Sequence, residues 1–420
     1  MAKFRVLVFG FAILLFVGWY GYRSFVHNQT RLPLTERAEA APELQFAKKP
    51  DVWNGKIDYQ GLDQQILALS KRPEMAGLAV AIVEDGEVRF VKTYGVTDKR
   101  SGEPVTPQTV FRWASVSKGV AGSLAAKLSE EGKIDLGATL NQWKTSLVLP
   151  RSGTSRISLA QLMSHQTGLT KNAYDRRLES GESPFMLRTK LGTTRLQCEP
   201  GTCHSYQNIA FDAASEILEQ SADVSYAIAA RRQLFEPLGM ESARFGMTGL
   251  TDAESWARPH RRDKVRTLSP SYWRVPSAAG VSSNILDMAR WLRAQMGANK
   301  DILSDAELAL AHRPLVRTGR VYGGDLARAL KQPSYGLGWR SFNYRGRALV
   351  GHSGAVDGFR ATMIFDPAAR TGIVAMWNSG WGMPFRIPFA MLDSYYGESA
   401  DNEPANDWLD LSDIPLPKPL

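Results

Sequence analysis

The stretch FRWASVSKGVAGSLAAKLSEEGKIDL, residues 111–136, decides the fold of this chain. Apolar residues recur in it at helical spacing, which predicts a helix from Ser115 to about residue 131, ended by Gly132. Ser115 and Lys118 then share one face of the helix, because residues three apart are neighbours there. The Lys118 amine can accept the proton of the Ser115 hydroxyl, and a serine becomes a useful nucleophile only beside such a base. Alone, this spacing is weak evidence for a site, since an exposed helix start with a solvated lysine has the same sequence.

Composition restricts the class of protein. The 420 residues are 44% hydrophobic and 22% charged, which is enough apolar material for a sizeable core and too few charges for a disordered chain. The net charge of +9 favours an anionic partner. The two cysteines exclude a disulfide-dense scaffold and a four-cysteine zinc site.

A second short motif, Tyr206-Gln207-Asn208, follows the Pro-Gly turn at 200–201. An ammonium group nearby favours the tyrosine anion, so Tyr206 could pass protons to a leaving group and from water. Asn208 offers an amide that could hold a substrate carbonyl. In isolation, a turn tyrosine followed by a helix-capping asparagine is the commoner interpretation.

A third motif, Gly351-His352-Ser353-Gly354-Ala355, lies in a strand-like context. A cationic or polar side chain at 352 can bind a substrate carboxylate. Gly354 would let a substrate backbone approach closely, and the N–H of Ala355 could donate to an oxyanion. On its own, this pattern is more often a histidine at a strand end in a glycine-rich turn.

Together and in this order, the three motifs resemble those of the serine β-lactamase and penicillin-binding protein superfamily. The closest resemblance is to the branch of class C β-lactamases, D,D-peptidases and esterases, which uses Ser-x-x-Lys, Tyr-x-Asn and Lys/His-Thr/Ser-Gly. Flanking segments such as LFEPLGM and YGLGW are similar too. The resemblance covers residues 57–396. It implies an α/β plus all-α fold, with an antiparallel sheet flanked by helices and a helical region inserted at about 140–270.

The resemblance also implies roles for individual residues. The catalytic residues would be Ser115, Lys118 and Tyr206; the substrate-binding residues Asn208, His352, Ser353 and Gly354; and the oxyanion donors the N–H groups of Ser115 and Ala355. Ser115 would accept the acyl group, and which of Lys118 and Tyr206 is the base stays open. The resemblance implies no cofactor and no metal. Because His352 replaces the usual lysine and is mostly neutral at pH 7, its carboxylate binding should weaken as pH rises.

The expected activity is hydrolysis of an amide or ester through an acyl-enzyme on Ser115. The expected substrate is a D-amino-acid peptide of the cell wall, as for D,D-carboxypeptidases or D-aminopeptidases. A carboxyl-esterase or a weak class C β-lactamase is the alternative enzyme. A catalytically silent binding or sensor protein on the same fold is the alternative from another class.

Cys198 and Cys203 bracket the Pro-Gly turn that precedes Tyr206. An oxidising compartment would permit a disulfide that closes this short loop and stiffens the Tyr206 segment. Two free buried thiols are the alternative. A further histidine, His165, matches a structural histidine of the family and is expected to hold a turn.

The N-terminus predicts a membrane anchor. Lys3 and Arg5 precede an uncharged apolar run at 6–22, which is long enough to span a bilayer as a helix. We therefore expect a signal-anchor at 1–26 in a bacterial inner membrane and a linker at 27–56. The catalytic domain at 57–396 would then be periplasmic or extracellular. A cleaved signal peptide is the alternative.

The remaining expectations concern the tail and the partners. The acidic, proline-rich tail at 397–420 is expected to lie extended on the surface. Export and the absence of a supporting motif argue against nucleic acid as the partner of the basic chain. Anionic lipid or an acidic cell-wall polymer fits the charge better, and the sequence leaves the oligomeric state open.

Overall fold

The computed structural model describes residues 56–397 and 407–411. The predicted membrane segment at 1–26 and all but the last residue of the linker at 27–56 lie outside these ranges. Within the described ranges, no helix combines the length and the apolar character needed to cross a bilayer.

The strands form one large sheet and two small ones. Their bounds are β1 Gly77–Glu84, β2 Glu87–Gly95, β3 Phe111–Arg112, β4 Arg244–Phe245, β5 His260–Arg261, β6 Lys264–Val265, β7 Val281–Ser283, β8 Val316–Arg317, β9 Lys331–Tyr335, β10 Arg340–Tyr344, β11 Arg347–Val356, β12 Phe359–Asp366 and β13 Thr371–Trp377. The large sheet is antiparallel and has the order β2-β1-β13-β12-β11-β10-β9-β8. The pairing of β1 with β13 shows that both ends of the domain build one sheet.

Helices cover the large sheet and fill the region between β2 and β8. The α-helices are α1 Tyr59–Ser70, α2 Ser117–Glu130, α3 Leu159–Met163, α4 Asp175–Glu179, α5 Pro184–Lys190, α6 Asn208–Phe211, α7 Ala213–Ala222, α8 Tyr226–Ala230, α9 Thr248–Thr251, α10 Pro276–Ala279, α11 Ile285–Gln295, α12 Asp305–His312, α13 Gly324–Ala329 and α14 Ile387–Tyr396. Short 3-10 turns include Ala114–Val116 and Ser271–Arg274. Most of the helices between α2 and α11 are short, and together they form the helical region that the sequence predicts.

Strand β1 shows why the sheet is buried on both faces. All eight of its residues are buried. Ala79, Ala81 and Val83 join the core that contains α2 and α11, whereas Leu78 and Val80 join the core that contains α1 and α14. Successive side chains of a strand point to opposite faces, so a continuous apolar run serves two cores.

Glycines let α2 lie directly against the segment that precedes β10. A Cβ atom on Gly119 would collide with the Trp339 ring, and one on Gly122 would collide with the Leu337 carbonyl oxygen. The small residues that follow Ser-x-x-Lys are therefore required by packing.

The residues at 336–342 have a strand-like pattern that predicts a strand from Gly336, but the strand begins later. Strand β10 starts at Arg340, because the preceding residues turn and pack on α2. The Gly336 N–H donates to the Trp339 carbonyl over 2.8 Å, and Gly338 has φ of +75°. A left-handed glycine at this place interrupts the strand pattern that the apolar residues suggest.

Part of the acidic tail is buried, which makes the expectation of a wholly extended surface tail wrong for 407–411. Trp408 and Leu409 are each 2% exposed. The Trp408 indole N–H donates to Asp393 Oδ2 over 2.8 Å, and its ring packs on Phe389 of α14. The apolar residues in this stretch extend the second core, which outweighs the polar composition around them.

Candidate active site

Ser115 lies in the 3-10 turn Ala114–Val116, immediately before α2. The turn is held by its neighbour Trp113, whose backbone N–H donates to Val281 of β7 over 3.0 Å and whose indole N–H donates to Ser283 over 2.8 Å. Ala114 has φ of +49°, a strained conformation for a residue with a Cβ atom. In the first turn, the Ser115 N–H has no carbonyl behind it in the helix, so it is available to an oxyanion.

Lys118 is fully buried and lies among three oxygen atoms. Its Nζ is 3.2 Å from Ser115 Oγ, 2.8 Å from Asn208 Oδ1 and 2.9 Å from the Ala278 carbonyl oxygen. Burial lowers the pKa of Lys118, while the nearby Tyr206 opposes that shift. Carbonyl and amide oxygens only accept, so they fix two N–H bonds of a neutral amine. In that neutral form the lone pair would face the Ser115 hydroxyl, whereas an ammonium would donate to all three oxygens.

Tyr206 lies half-buried beside this amine. The Lys118 Nζ is 4.8 Å from the centre of its ring. The ring packs on His165 with a centroid distance of 4.2 Å. His165 Nδ1 accepts from the Gln207 N–H over 3.2 Å, and its carbonyl accepts from the Ser205 N–H over 2.8 Å. Burial lowers the pKa of His165 well below its usual value, so a neutral ring positions the Tyr206 segment.

Cys198 and Cys203 are joined by a disulfide whose Cα atoms are 6.3 Å apart. The loop they close is tied to the chain next to His165. The Gln197 N–H donates to Gly168 over 2.8 Å, and the Gly201 N–H donates to Gln166 over 2.7 Å. The loop therefore supports the backbone from which Tyr206 enters the cleft.

His352 is 2% exposed, and both ring nitrogens have partners. Nδ1 lies 2.9 Å from the Ser353 carbonyl oxygen, so it carries the hydrogen, and Nε2 then accepts from the Tyr335 hydroxyl over 2.8 Å. Burial lowers the pKa of His352 well below its usual value, and the neighbouring Arg340 and Lys118 side chains add to this effect. A neutral ring without a free nitrogen does not suit the pH-dependent carboxylate contact that the sequence suggested.

The pattern at 348–351 predicts a strand that ends at Gly351, but β11 continues through the third motif up to Val356. Pairing with β10 ends at Gly351, whereas pairing with β12 runs on to Val356. The other edge of residues 353–356 therefore opens to the cleft. The Ser353 hydroxyl lies 2.5 Å from the Tyr322 hydroxyl and 3.3 Å from the hydroxyl of Thr362 on β12.

Gly354 is required for a reason that sequence did not suggest. A Cβ atom there would collide with the Trp113 carbonyl oxygen and lie 3.0 Å from the Ser115 nitrogen. The turn Ala114–Val116, called the nucleophile turn because Ser115 is the predicted nucleophile, thus lies against Gly354, where the sequence predicts a substrate backbone. This contact brings Ala355 next to Ser115, and a shared role of their N–H groups as oxyanion donors stays a prediction.

Asn208 does not present a free amide to the cleft. Its Nδ2 donates to Asp175 Oδ2 over 2.8 Å, and Asp175 also lies 3.2 Å from the Tyr272 hydroxyl. Burial raises the pKa of Asp175 to about 6. Sequence reasoning missed Asp175 because it belongs to none of the three motifs.

Arg340 is the second residue that sequence reasoning missed. It pairs with Gly351 and Tyr335 in the sheet, and its guanidinium lies 4.9 Å from the Tyr335 ring centre and 5.5 Å from that of Tyr206. In the described part of the chain, no carboxylate pairs with it. Its position directly after YGLGW was the available signal, but that motif was taken only as a family marker.

The cleft has a volume of about 500 Å³ and a basic rim. Its lining includes residues of all three motifs together with Asp175, Tyr272, Lys171, Arg320 and Arg340; the motif residues are Ser115, Tyr206, Asn208, His352, Ser353 and Ala355. Lys171 and Arg320 are exposed at the rim. The charge of this rim suits an anionic ligand.

The motif residues of three separate segments thus converge on one cleft, and the family model for beta-lactamase matches residues 62–388. The chain belongs to the β-lactamase family. The sheet, the short helices and the motif positions described above agree with that assignment.

Curated relatives are similar at low identity. The chain is 26% identical over 340 residues to "Unguisins hydrolase ungD'" of Aspergillus campestris, which covers 76% of this chain and 62% of the relative. It is 27% identical over 331 residues to a D-aminopeptidase of Gluconobacter oxydans, which covers 76% and 58%. This β-lactamase family member therefore spans about three-fifths of the length of these two relatives.

Solved structures show the same fold. The octameric penicillin-binding protein homologue from Pyrococcus abyssi matches with a TM-score of 0.71 at 22% identity, covering 83% of this chain and 79% of that one. A class C β-lactamase matches with a TM-score of 0.67 at 21% identity, covering 80% and 96%. Both confirm the predicted β-lactamase-type fold.

Proposed function

We propose that this protein is a serine hydrolase that forms an acyl-enzyme on Ser115 with Lys118 as the base. This proposal rests on the position of the Lys118 amine, which lies 3.2 Å from Ser115 Oγ and is held by two oxygen acceptors. Ser115 attacks the substrate carbonyl while its proton passes to Lys118. Tyr206 delivers a proton to the leaving group, and the N–H groups of Ser115 and Ala355 stabilise the oxyanion. Water then attacks the ester by the reverse route.

The proposed substrate is an amide or ester whose leaving side carries a free carboxylate. Arg340 supports this choice, because it lies in the cleft without a carboxylate partner among the described residues. A guanidinium binds a carboxylate with two parallel hydrogen bonds. A peptide ending in a D-amino acid has such a group. The D-aminopeptidase among the relatives supports hydrolysis of D-amino-acid amides.

The location of the protein remains part of the proposal. A domain at 57–396 anchored by residues 1–26 would reach cell-wall peptides outside the membrane. The net charge of +9 suits an acidic wall polymer or anionic lipid nearby.

Covalent labelling tests the nucleophile. Wild-type protein and Ser115→Ala are incubated with a fluorescent penicillin and with a fluorophosphonate, and the adduct is located by mass spectrometry. We expect at least one probe to modify the peptide that contains Ser115, and neither to label the variant. Folded wild-type protein that neither probe labels would contradict the proposal.

Arg340→Gln tests the substrate class. For a peptide ending in a free D-alanine carboxylate, we expect kcat/KM to fall about 10- to 100-fold, mainly through KM, because a charge-assisted hydrogen bond is lost. The carboxamide form of the same peptide should react equally well with both proteins. A carboxyl-esterase would instead prefer uncharged esters.

The control for this comparison is Arg317→Gln, which removes an exposed arginine of β8 outside the cleft lining. It should leave both rates as in the wild type. Equal losses on the acid and the carboxamide with Arg340→Gln would mean that Arg340 acts only through packing against the tyrosine rings.

A further inference from the structure

A line of hydrogen bonds runs from the Lys118 amine through Asn208 to the buried side chain of Asp175. Asn208 Oδ1 lies 2.8 Å from Lys118 Nζ, and Asn208 Nδ2 lies 2.8 Å from Asp175 Oδ2. An ionised carboxylate oxygen only accepts hydrogen bonds. The end of the amide that faces Asp175 must therefore be the NH₂ group, which leaves the oxygen to face Lys118.

We propose that Asp175 is a positioning residue that holds the Asn208 amide in this orientation and so aims the lone pair of Lys118 at the Ser115 hydroxyl. With the amide reversed, its NH₂ group would face Lys118. The amine would then turn its lone pair to Asn208, and Ser115 would lose its base. This inference rests on the proposed function, because it assigns a role within the same acyl-transfer site.

Asp175 is itself fixed by its surroundings. It is 8% exposed and begins helix α4. The turn Ser271–Arg274 places Tyr272 against it, and Arg274 ties that turn to α4 by donating to the Leu178 carbonyl over 2.8 Å and to the Gly181 carbonyl over 3.0 Å. Within the described residues, the buried Asp175 Oδ1 accepts no hydrogen bond. The packing around Asp175 therefore keeps its carboxylate in contact with Asn208.

The charge of Asp175 also acts on Lys118. Burial lowers the pKa of Lys118, and the Asp175 carboxylate partly opposes that shift. The other titratable or charged groups that face Lys118 are Tyr206, Arg340, His165 and His352, and those that face Asp175 are Tyr272 and Glu179. Removing the Asp175 charge should therefore lower the pKa of Lys118 further. A residue that served only to fill space would not produce this shift.

The test measures the rate at which a fluorophosphonate modifies Ser115 between pH 7 and pH 10, where Asp175, with its raised pKa of about 6, is ionised. The rate rises with pH as Lys118 loses its proton, so the midpoint of that rise reports the pKa of Lys118 in the free enzyme. In Asp175→Asn we expect the midpoint to move down by about 1 pH unit, because a nearby opposite charge is lost. We expect the plateau rate to fall about 10-fold or more, because the amide can reverse.

Glu179→Gln is the matched control. It also replaces a carboxylate by its amide, but Glu179 is exposed and contacts Tyr272 instead of Asn208. Solvent screens its charge, so the midpoint and the plateau should both stay at their wild-type values.

A double variant separates orientation from charge. Asp175→Asn combined with Asn208→Asp keeps an acceptor facing Lys118 and a donor behind it, but moves the negative charge next to the amine. The midpoint should then rise above the wild-type value, opposite to the single variant. This variant also provides the test should Asp175→Asn fail to fold.

The outcomes distinguish the two proposals. If folded wild-type protein does not react at Ser115, the proposed function fails and this inference fails with it. If the wild type reacts and folded Asp175→Asn keeps both the midpoint and the plateau, the proposed function stands and the role of Asp175 is overturned.

Discussion

Lys118→Met should lower the rate of Ser115 acylation by about 10³-fold or more, because positioned proton transfer contributes on that scale. Methionine keeps most of the volume of the buried side chain but cannot accept the proton of Ser115. The Asn208 amide oxygen and the Ala278 carbonyl lose their donor at the same time. The measurement is the burst of product during the first turnover, which reports acylation separately from hydrolysis of the ester.

Stability must be measured beside activity in this variant. Each of the two buried acceptors left without a donor should lower the free energy of unfolding by about 1–3 kcal/mol. The loss is partly offset, because the variant no longer buries an amine away from water. Cooperative thermal unfolding would show that the loss of rate is chemical. Lys133→Met serves as the control, since Lys133 is half-exposed and, among the described residues, pairs with Glu131 on the surface. Acylation within a factor of ten of the wild-type rate would make Tyr206, not Lys118, the base.

Gly354→Ala is expected to lower acylation by about 100-fold, because a displacement of about 1 Å at the reacting groups costs that much. The added methyl group would collide with the Trp113 carbonyl oxygen and lie 3.0 Å from the Ser115 nitrogen. Either β11 or the nucleophile turn must move, and both carry a proposed oxyanion donor. Overpacking of this kind also costs about 1–3 kcal/mol of stability.

A second glycine provides the control for Gly354. A Cβ atom on Gly323 would meet nothing within 4 Å. Gly323→Ala should therefore leave acylation and unfolding unchanged. If Gly354→Ala acylates at the wild-type rate, the close approach of β11 to the nucleophile turn is not needed for catalysis.

Runs of apolar residues predict several strands and helices of this fold close to their observed bounds. The apolar run at 371–377 predicts β13 with its correct bounds, and the run at 77–83 predicts β1 within one residue, because a continuous apolar run bounded by turn residues identifies a buried strand. Helix α2 was predicted two residues too early, since Ser115 belongs to the 3-10 turn before it. The strand at 336–342 was predicted too long, because the left-handed Gly338 turns the chain before β10. The tail was predicted to be exposed at 407–411, but its apolar residues are buried in the second core.

The sequence by itself determined the family fold and the three motifs. Ser115 and Lys118 can be recognised by their spacing along the chain, and the segments that carry Tyr206 and Gly354 by their short motifs. Only the tertiary structure decided which groups of the site are charged and which are neutral. His352 is neutral because it is buried and both of its ring nitrogens form hydrogen bonds. Arg340 lies in the cleft because β10 pairs with β11. Hydrogen bonds link Asp175 to Lys118 through Asn208, which is more than thirty residues away from Asp175 along the chain. Burial and through-space contact set pKa values and charge, and no spacing along a chain records them.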